Sequence, residues 1–298
     1  MTAGPLVEIP FAKGHGAGND FLILDDATGR LALTEADVAR WCDRRLGIGA
    51  DGLLRAVRSA AVPEASAMAG RAEWFMDYRN ADGSPGAMCG NGARLLARYL
   101  VAAGHCPPGP LTLATRAGTR RLHVPAQGAR GTEGGVRIAM GRPVLPGPEG
   151  ITVTVGERSR PALHVDVGNP HAVVLVDDLA HAGDLLVAPT VTPASAYPLG
   201  VTVEFVRDLG FARSPGSHHL ALRVHERGVG ETPSCGTGAC AAVAAVRHRD
   251  PRPAGPARYT VDAPGGRLRV DVAADGSMTL TGPARIVARG TLRLPAAS

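Results

Sequence analysis

The sequence predicts an α/β (α+β) chain of two pseudo-symmetric halves, each a mostly antiparallel or mixed sheet wrapped around a principal helix, with the active site in the cleft between them. Three observations predict this. The turn Cys89-Gly90-Asn91-Gly92-Ala93 recurs as Cys235-Gly236-Thr237-Gly238-Ala239, an offset of 146 residues. Upstream, Gly18-Asn19, the apolar run Phe21-Leu22-Ile23-Leu24 and Asp25-Asp26 are matched by Gly168-Asn169, the run 172–176 and Asp177-Asp178, the offset drifting from 150 to 152. The length of 298 residues is that of two domains of about 150 each. An ordered series of matches at near-constant spacing is the mark of a duplication.

Taken in order, Thr34-Glu35-Ala36-Asp37 reads as an N-cap leading into a helix over 38–46. The segments 75–79, 111–115, 220–224 and 268–270 alternate or are β-rich and read as strands. Each cysteine turn is followed by an Ala/Leu-rich stretch, 93–103 and 239–247, which reads as a helix. The offset of 146 also pairs Arg121 with Arg267, Leu122 with Leu268 and Val124 with Val270. Glycine and proline punctuate the stretch 128–150, which marks the join, and the Pro-rich stretch 251–256 reads as a surface loop. The halves are therefore 1–135, carrying Cys89, and 136–284, carrying Cys235, with 285–298 expected to pack back on the N-terminal half.

Composition removes several classes. Hydrophobic residues are 45% and charged residues 20%, as in ordinary globular proteins, and no apolar run approaches the roughly 20 residues of a membrane-spanning helix. Residues 1–13 lack the basic start and apolar stretch of a secretory signal. Five scattered cysteines are too few for a disulfide framework, so a cytoplasmic protein with reduced thiols is expected. The net charge of +5 is spread among interleaved acids, and aromatics are only 4%, so neither the basic stripe nor the stacking platform of a nucleic-acid binder is present. Gly47-Ile48-Gly49-Ala50-Asp51-Gly52 fits the dinucleotide pattern, but a charged helical stretch precedes it where a buried strand is required. No Cys-x-x-Cys knuckle exists and His248 is not spaced for zinc, so no metal is expected. Lys13 is the lone lysine, which leaves almost nothing for a Schiff base, and no cofactor is expected.

The chemistry lies in the repeated turn. The first N–H groups of a helix have no partner inside it, and that end carries partial positive charge. A carboxylate binds there readily, and a thiol there is expected to shift toward thiolate. Two such thiols suit one reaction class, in which a proton leaves one face of a carbon and returns on the other. Each pKa unit separating a thiol from an amino-acid α-hydrogen costs about 1.36 kcal/mol, so charge developing on the substrate carboxylate must be stabilised. Two helix starts could do so without pyridoxal phosphate. Cys42, Cys106 and Cys240 lack the flanking glycines and read as structural thiols.

Residues 15–21 (HGAGNDF), 47–54 (GIGADGLL), 79–100 (RNADGSPGAMCGNGARLLARYL), 167–178 (VGNPHAVVLVDD), 203–206 (VEFV) and 225–245 (HERGVGETPSCGTGACAAVAA) resemble the diaminopimelate epimerases, in that family's order and over nearly the whole chain. The resemblance implies that Cys89 and Cys235 are the two bases, and that the backbone at Gly90, Asn91, Gly236 and Thr237 holds the reacting carboxylate. It matches Asn19, Asn80 and Asn169 to substrate-contacting asparagines. Glu226 and Arg227 match the pair at the distal amino-acid head, where Arg offers a fork for a carboxylate. His171 and Glu226 are implied to orient or polarise the reacting groups. It further implies a homodimer acting on a small amino acid, interconverting LL- and meso-diaminopimelate for lysine and peptidoglycan synthesis.

Two positions depart from the family. Gly52 replaces a substrate-contacting Gln, a change expected to leave room for water or another side chain. Thr202 stands where the family usually has Asn, offering one hydroxyl in place of an amide. These departures motivate an alternative, a paralogue with the same chemistry on another amino acid.

Overall fold

The computed structural model of the chain describes residues 6–126, 134–145, 147–211, 217–250 and 255–295. Part of the Gly/Pro-punctuated join and residues 251–254 of the Pro-rich stretch lie outside the described residues. The chain divides into two units, Met1–Val136 with Pro283–Ser298, and Arg137–Gly282.

In the first unit the strands are β1 (Leu6–Gly16), β2 (Asn19–Asp25), β3 (Gly52–Arg58), β4 (Trp74–Asn80), β5 (Gly109–Thr115), β6 (Gly118–Val124) and β19 (Arg285–Pro295). They lie in the order β6-β5-β4-β3-β2-β1-β19. β2 with β3 and β4 with β5 are parallel, and the rest antiparallel, so the sheet is mixed. The helix α2 (Gly90–Ala102) contacts β1 through β6 and β19, so the sheet curls around it. Its Ala93, Leu95, Leu96, Ala97 and Leu100 are buried. A Cβ on Gly16 of β1 would stand 2.8 Å from the Asn91 carbonyl oxygen, so only glycine lets the end of that strand approach the start of α2.

The first helix, α1 (Glu35–Cys42), is capped at Thr34 as predicted but starts three residues before the predicted 38: Thr34 Oγ1 accepts from the Asp37 N–H at 3.1 Å, and Asp37 reaches back to the Thr34 N–H. It ends four residues before the predicted Leu46. Asp43 Oδ1 accepts from the N–H groups of Arg45 and Leu46 at 2.7 and 2.6 Å, and that local alternative turns the chain out of the helix. The glycines 47 and 49 follow as a turn into β3, the order helix–turn–strand, which is the reverse of a dinucleotide fingerprint.

The second unit repeats the plan. Its strands β7 (Val136–Gly141), β10 (Leu163–Asp166), β11 (Pro170–Leu175), β13 (Thr202–Phe211), β14 (Ser217–Glu226), β16 (Ala257–Ala263), β17 (Gly266–Val272) and β18 (Met278–Gly282) lie in the order β10-β11-β13-β14-β16-β17-β18-β7. β15 (Gly230–Thr232) pairs with β14, and β8 (Thr152–Val155), β9 (Arg158–Pro161) and β12 (Thr190–Thr192) form a small separate sheet. The helix α3 (Gly236–Arg249) contacts β10, β11, β13, β14, β17 and β18. Apart from Thr237 it is buried at every position from Gly236 to Val246, which explains its run of alanines: a helix surrounded by its own sheet has no solvated face to pattern.

The duplication is visible in the pairing. Phe21 lies opposite Gly52 in the parallel β2–β3 pair, and His171 lies opposite Thr202 in the parallel β11–β13 pair, both at an offset of 150. The hairpins β5–β6 and β16–β17 align at 148, from Thr115↔Gly118 and Ala263↔Gly266, where the sequence matches give 146. A slip of two residues keeps the same face inward, so Leu122, Leu268 and Val270 are all buried.

Candidate active site

In the first unit, Cys89 is the N-cap of α2, held in extended backbone at φ −135°. Its sulfur accepts from the Gly92 N–H at 3.5 Å, and the N–H groups of Gly90 and Asn91 are the first two of the helix, at its positive end. The Cys89 thiol points to Asn19 Oδ1 at 3.6 Å, and Asn91 Nδ2 donates to the same oxygen at 3.4 Å. Asn19 is held from behind, its Nδ2 donating to Asp51 Oδ2 at 2.7 Å. Beneath Asn91 lies Arg94, fully buried, which donates to Asn91 Oδ1 at 2.5 Å and to the Gly90 carbonyl at 3.2 Å. The structure thus gathers Cys89, Gly90, Asn91 and Asn19. Asn80 is fixed separately, accepting from the Tyr78 hydroxyl at 2.8 Å and donating to Ser84 Oγ at 3.0 Å.

Gly52 lies opposite Asn80 in the β3–β4 ladder. Another side chain takes the room beside it: a Cβ there would stand 2.5 Å from the Arg79 carbonyl oxygen and 3.1 Å from the Tyr78 ring.

In the second unit, Cys235 is the N-cap of α3 at φ −113°, its sulfur accepting from the Gly238 N–H at 3.4 Å and lying 3.3 Å from Thr237 Oγ1. Gly236 and Thr237 open this helix as Gly90 and Asn91 open the other. Glu226, on β14, accepts a hydrogen bond from Thr232 Oγ1, and its carboxyl group acts electrostatically on the Cys235 thiol. The next residue, Arg227, is exposed, and its Nη1 donates to the Leu199 carbonyl at 3.4 Å. The consecutive pair therefore splits, with Glu226 at the thiol and Arg227 away from it. Thr202 Oγ1 accepts from the Arg227 N–H at 3.3 Å. Asn169, half-buried between β10 and β11, makes no side-chain hydrogen bond among the described residues. His171 is completely buried, and its Nδ1 lies 2.6 Å from Oε1 of Glu204, also completely buried.

The electrostatics overturn the expectation of a thiolate at Cys235. Burial pushes the Cys235 thiol well above its ordinary value, and the carboxylates of Glu226 and Glu204 push in the same direction; the hydrogen bonds from Thr237 and Gly238 do not offset them. The helix start alone would favour thiolate, but a site closed to water and facing two carboxyl groups holds the proton on sulfur. Burial likewise raises the Glu226 carboxyl, against the pull of its bond from Thr232. Of the remaining cysteines, Cys42 and Cys240 are core residues, with burial pushing the Cys42 thiol up to about 11, and Cys106 is half-buried. Lys13 is engaged with Asp20 at 3.1 Å and the Gly49 carbonyl. Among the described residues no cluster of His, Cys, Asp and Glu is arranged to hold a metal ion, and no helix is long and apolar enough to cross a membrane.

Sequence reasoning assigned no role to Glu204 or Arg94. Both stand inside quoted motifs, yet a single charge in a strand or helix reads as a solvated position. The duplication held the signal: Glu204 falls 150 residues after Leu54, and Arg94 falls 146 before Cys240, charged residues opposite apolar ones.

The repeated N-cap thiol is accompanied by likeness along the whole chain. A family model described as diaminopimelate epimerase matches residues 11–146 and 163–287. The diaminopimelate epimerase of Streptomyces coelicolor is 54% identical, over 95% of this chain and 94% of its own. That of Thermobifida fusca is 44% identical, over 96% and 98%. The chain belongs to the diaminopimelate epimerase family. Its fold extends further, to proteins of other names. A crystallised hydroxyproline epimerase from Agrobacterium vitis superposes with a TM-score of 0.67 at 15% identity, covering 97% of this chain and 93% of its own. A phenazine biosynthesis protein from Bacillus anthracis superposes at 0.66 and 17% identity, covering 96% and 99%. Membership of the diaminopimelate epimerase family makes this chain an isomerase, and the distant structures show a shared fold alone.

Proposed function

We propose that the chain interconverts LL- and meso-diaminopimelate by proton transfer between two thiols at the α-carbon. The observation that carries this reading is the same arrangement built twice, a thiol as the N-cap of a buried helix, in a member of the diaminopimelate epimerase family. In the LL-to-meso direction Cys235 is the acceptor and Cys89 the donor, and the roles exchange in reverse.

Glu226, whose carboxyl group acts on the Cys235 thiol, is the base we assign to take its proton, leaving a thiolate. Because that thiol is held well above its ordinary value, the thiolate is a stronger base than a free one, by about 1.36 kcal/mol per unit. It removes the α-hydrogen from one face, and the Cys89 thiol gives its proton to the other. Charge developing on the reacting carboxylate is met by the N–H groups of Gly90, Asn91, Gly236 and Thr237. Asn19, Asn80, Asn169 and Thr202 contact the substrate, His171 orients the reacting end, and Arg227 takes the distal carboxylate. The protein acts as a cytoplasmic homodimer in lysine and peptidoglycan precursor synthesis. Sedimentation equilibrium giving a monomer mass at working concentration would remove the dimer from this reading.

The test is proton NMR of reduced protein with LL-diaminopimelate in D₂O. Loss of the α-hydrogen signal with appearance of the meso isomer is the expected result. Thr202 favours one second reading, the same chemistry on a different amino acid. Exchange on another amino acid of a panel, with none on diaminopimelate, would replace the first reading by the second.

A further inference from the structure

The two halves of the duplication differ at one buried pair. In the first unit Phe21 and Leu54 are both fully buried, two apolar side chains on the parallel strands β2 and β3. At the same offset of 150, and in the same register, the second unit carries His171 and Glu204 on β11 and β13. Both are completely buried as well, so an imidazole and a carboxyl fill places that the fold elsewhere fills with hydrocarbon. Packing alone does not call for them.

Their hydrogen bonding is half complete. His171 Nδ1 and Glu204 Oε1 are 2.6 Å apart, whereas His171 Nε2 and Glu204 Oε2 have no partner among the described residues. Buried polar atoms are nearly always paired, and exceptions mark places where something else completes them. Glu204 is fixed at the start of α3: a Cβ on Gly238 would stand 2.5 Å from its Oε1, so the carboxylate occupies the space that this glycine leaves open. With the Glu204 carboxylate as the acceptor, the imidazole donates and the proton of the short bond lies on Nδ1. In the equivalent place beside Gly92 the first unit has Leu54 Cδ2, at 3.0 Å. The field of Glu204 also reaches Cys235, Glu226 and Tyr197, so the pair sits among the groups assigned above.

We propose that Glu204 is a positioning residue, holding His171 with the proton on Nδ1 and the ring turned so that Nε2 meets the substrate. The function of that ring rests on the epimerase reading given above; the hydrogen bond that sets it does not. Glu204 touches no reacting atom and acts through His171.

Two measurements test this, and the first needs no substrate. Long-range ¹H–¹⁵N NMR of ¹⁵N-histidine-labelled, ligand-free protein should show the His171 Nδ1 protonated, a state lost in Glu204→Leu, the residue of the other half. A ring protonated on Nε2 alone in the wild-type protein overturns the proposal. The second is a double-mutant cycle in the α-proton exchange assay. Glu204→Leu should lower kcat about 10- to 100-fold, as loss of a carboxylate that orients a histidine does, with KM within about threefold, and Glu204→Gln, which retains an acceptor for Nδ1–H, should recover part of the loss. In a His171→Phe background either change should cost less than about twofold, because the group it acts through is gone. Equal losses in both backgrounds, or unchanged kcat in Glu204→Gln and Glu204→Leu, overturn the proposal. If Glu204→Leu does not fold, the wild-type tautomer and the isosteric Glu204→Gln still decide. A wild-type protein inert toward diaminopimelate would sink the substrate reading and leave the tautomer result to be judged on its own.

Discussion

Cys89 and Cys235 occupy the same place in the two copies of one architecture, each capping a buried helix and each accepting the N–H three residues on. Their surroundings differ. Cys89 is half-buried and faces an amide, Asn19, with the buried cation Arg94 bonded to the first turn of its helix. Cys235 is buried and faces Glu226 and Glu204, and the place of Arg94 is taken by Cys240. Duplication preserved the device and changed its charge. A helix start supplies the same positive end in both units, so it is burial and the carboxyl neighbours, not the shared turn, that raise the Cys235 thiol.

The largest effect should come from removing either thiol. Cys89→Ser and Cys235→Ser should each lower turnover by about 10²- to 10⁴-fold, the usual worth of a positioned proton-transfer group, measured as α-proton exchange in D₂O. Wild-type turnover in both would break the equivalence at its root. Next is Glu226→Gln, which removes the acceptor of the Cys235 proton: turnover should fall about 10²-fold. Thiolate absorbance should appear at lower pH than in the wild type, because the carboxylate that raises the thiol is gone.

On the other side of the comparison, Arg94→Leu should destabilise the first unit by about 1.5–3 kcal/mol through loss of charge-assisted bonds to Asn91 and Gly90. Cys240→Ala should cost less, and denaturant melts would read both. The smallest effect concerns pH. A thiol raised in the folded state binds its proton where the unfolded chain has released it, so stability falls as pH rises above the unfolded value of about 8.5. Cys42, held up to about 11, and Cys235 both contribute that slope. Cys235→Ser should lessen the loss between about pH 8.5 and 9.5 by at most about 1.4 kcal/mol. An unchanged alkaline slope would mean that the surroundings of Cys235 do not raise its thiol.

The repeat, the two capped helices and the mixed sheets were legible because each leaves a local mark: glycines where a helix starts, alternation in strands, and a capping box at Thr34. What escaped was set by neighbours distant in the chain. Glu204 lies in a run, Val203-Glu204-Phe205-Val206, whose lone acid reads as the solvated position of an alternating strand. It is buried because β11 brings His171 beside it and α3 starts against it. Arg94 escaped likewise, a cation buried by the closing sheet and satisfied by the turn three residues before it. The end of α1 was misread because Asp43 competes for the backbone, and helical periodicity does not register such competition. β19 was not read as a strand at all, its arginines and glycine giving no clean period.

That last strand runs antiparallel to β1 from Leu6↔Pro295 to His15↔Arg285. The outer edge of the first unit therefore follows the whole second unit in the chain, and translation delivers it after that unit. While the second unit is still being made, β1 can already pair with β2 on one side, but its other side offers a row of bare N–H and C=O groups to any extended segment nearby. A ribosome paused before Arg285 holds a unit that is closed on its helix and open at its rim.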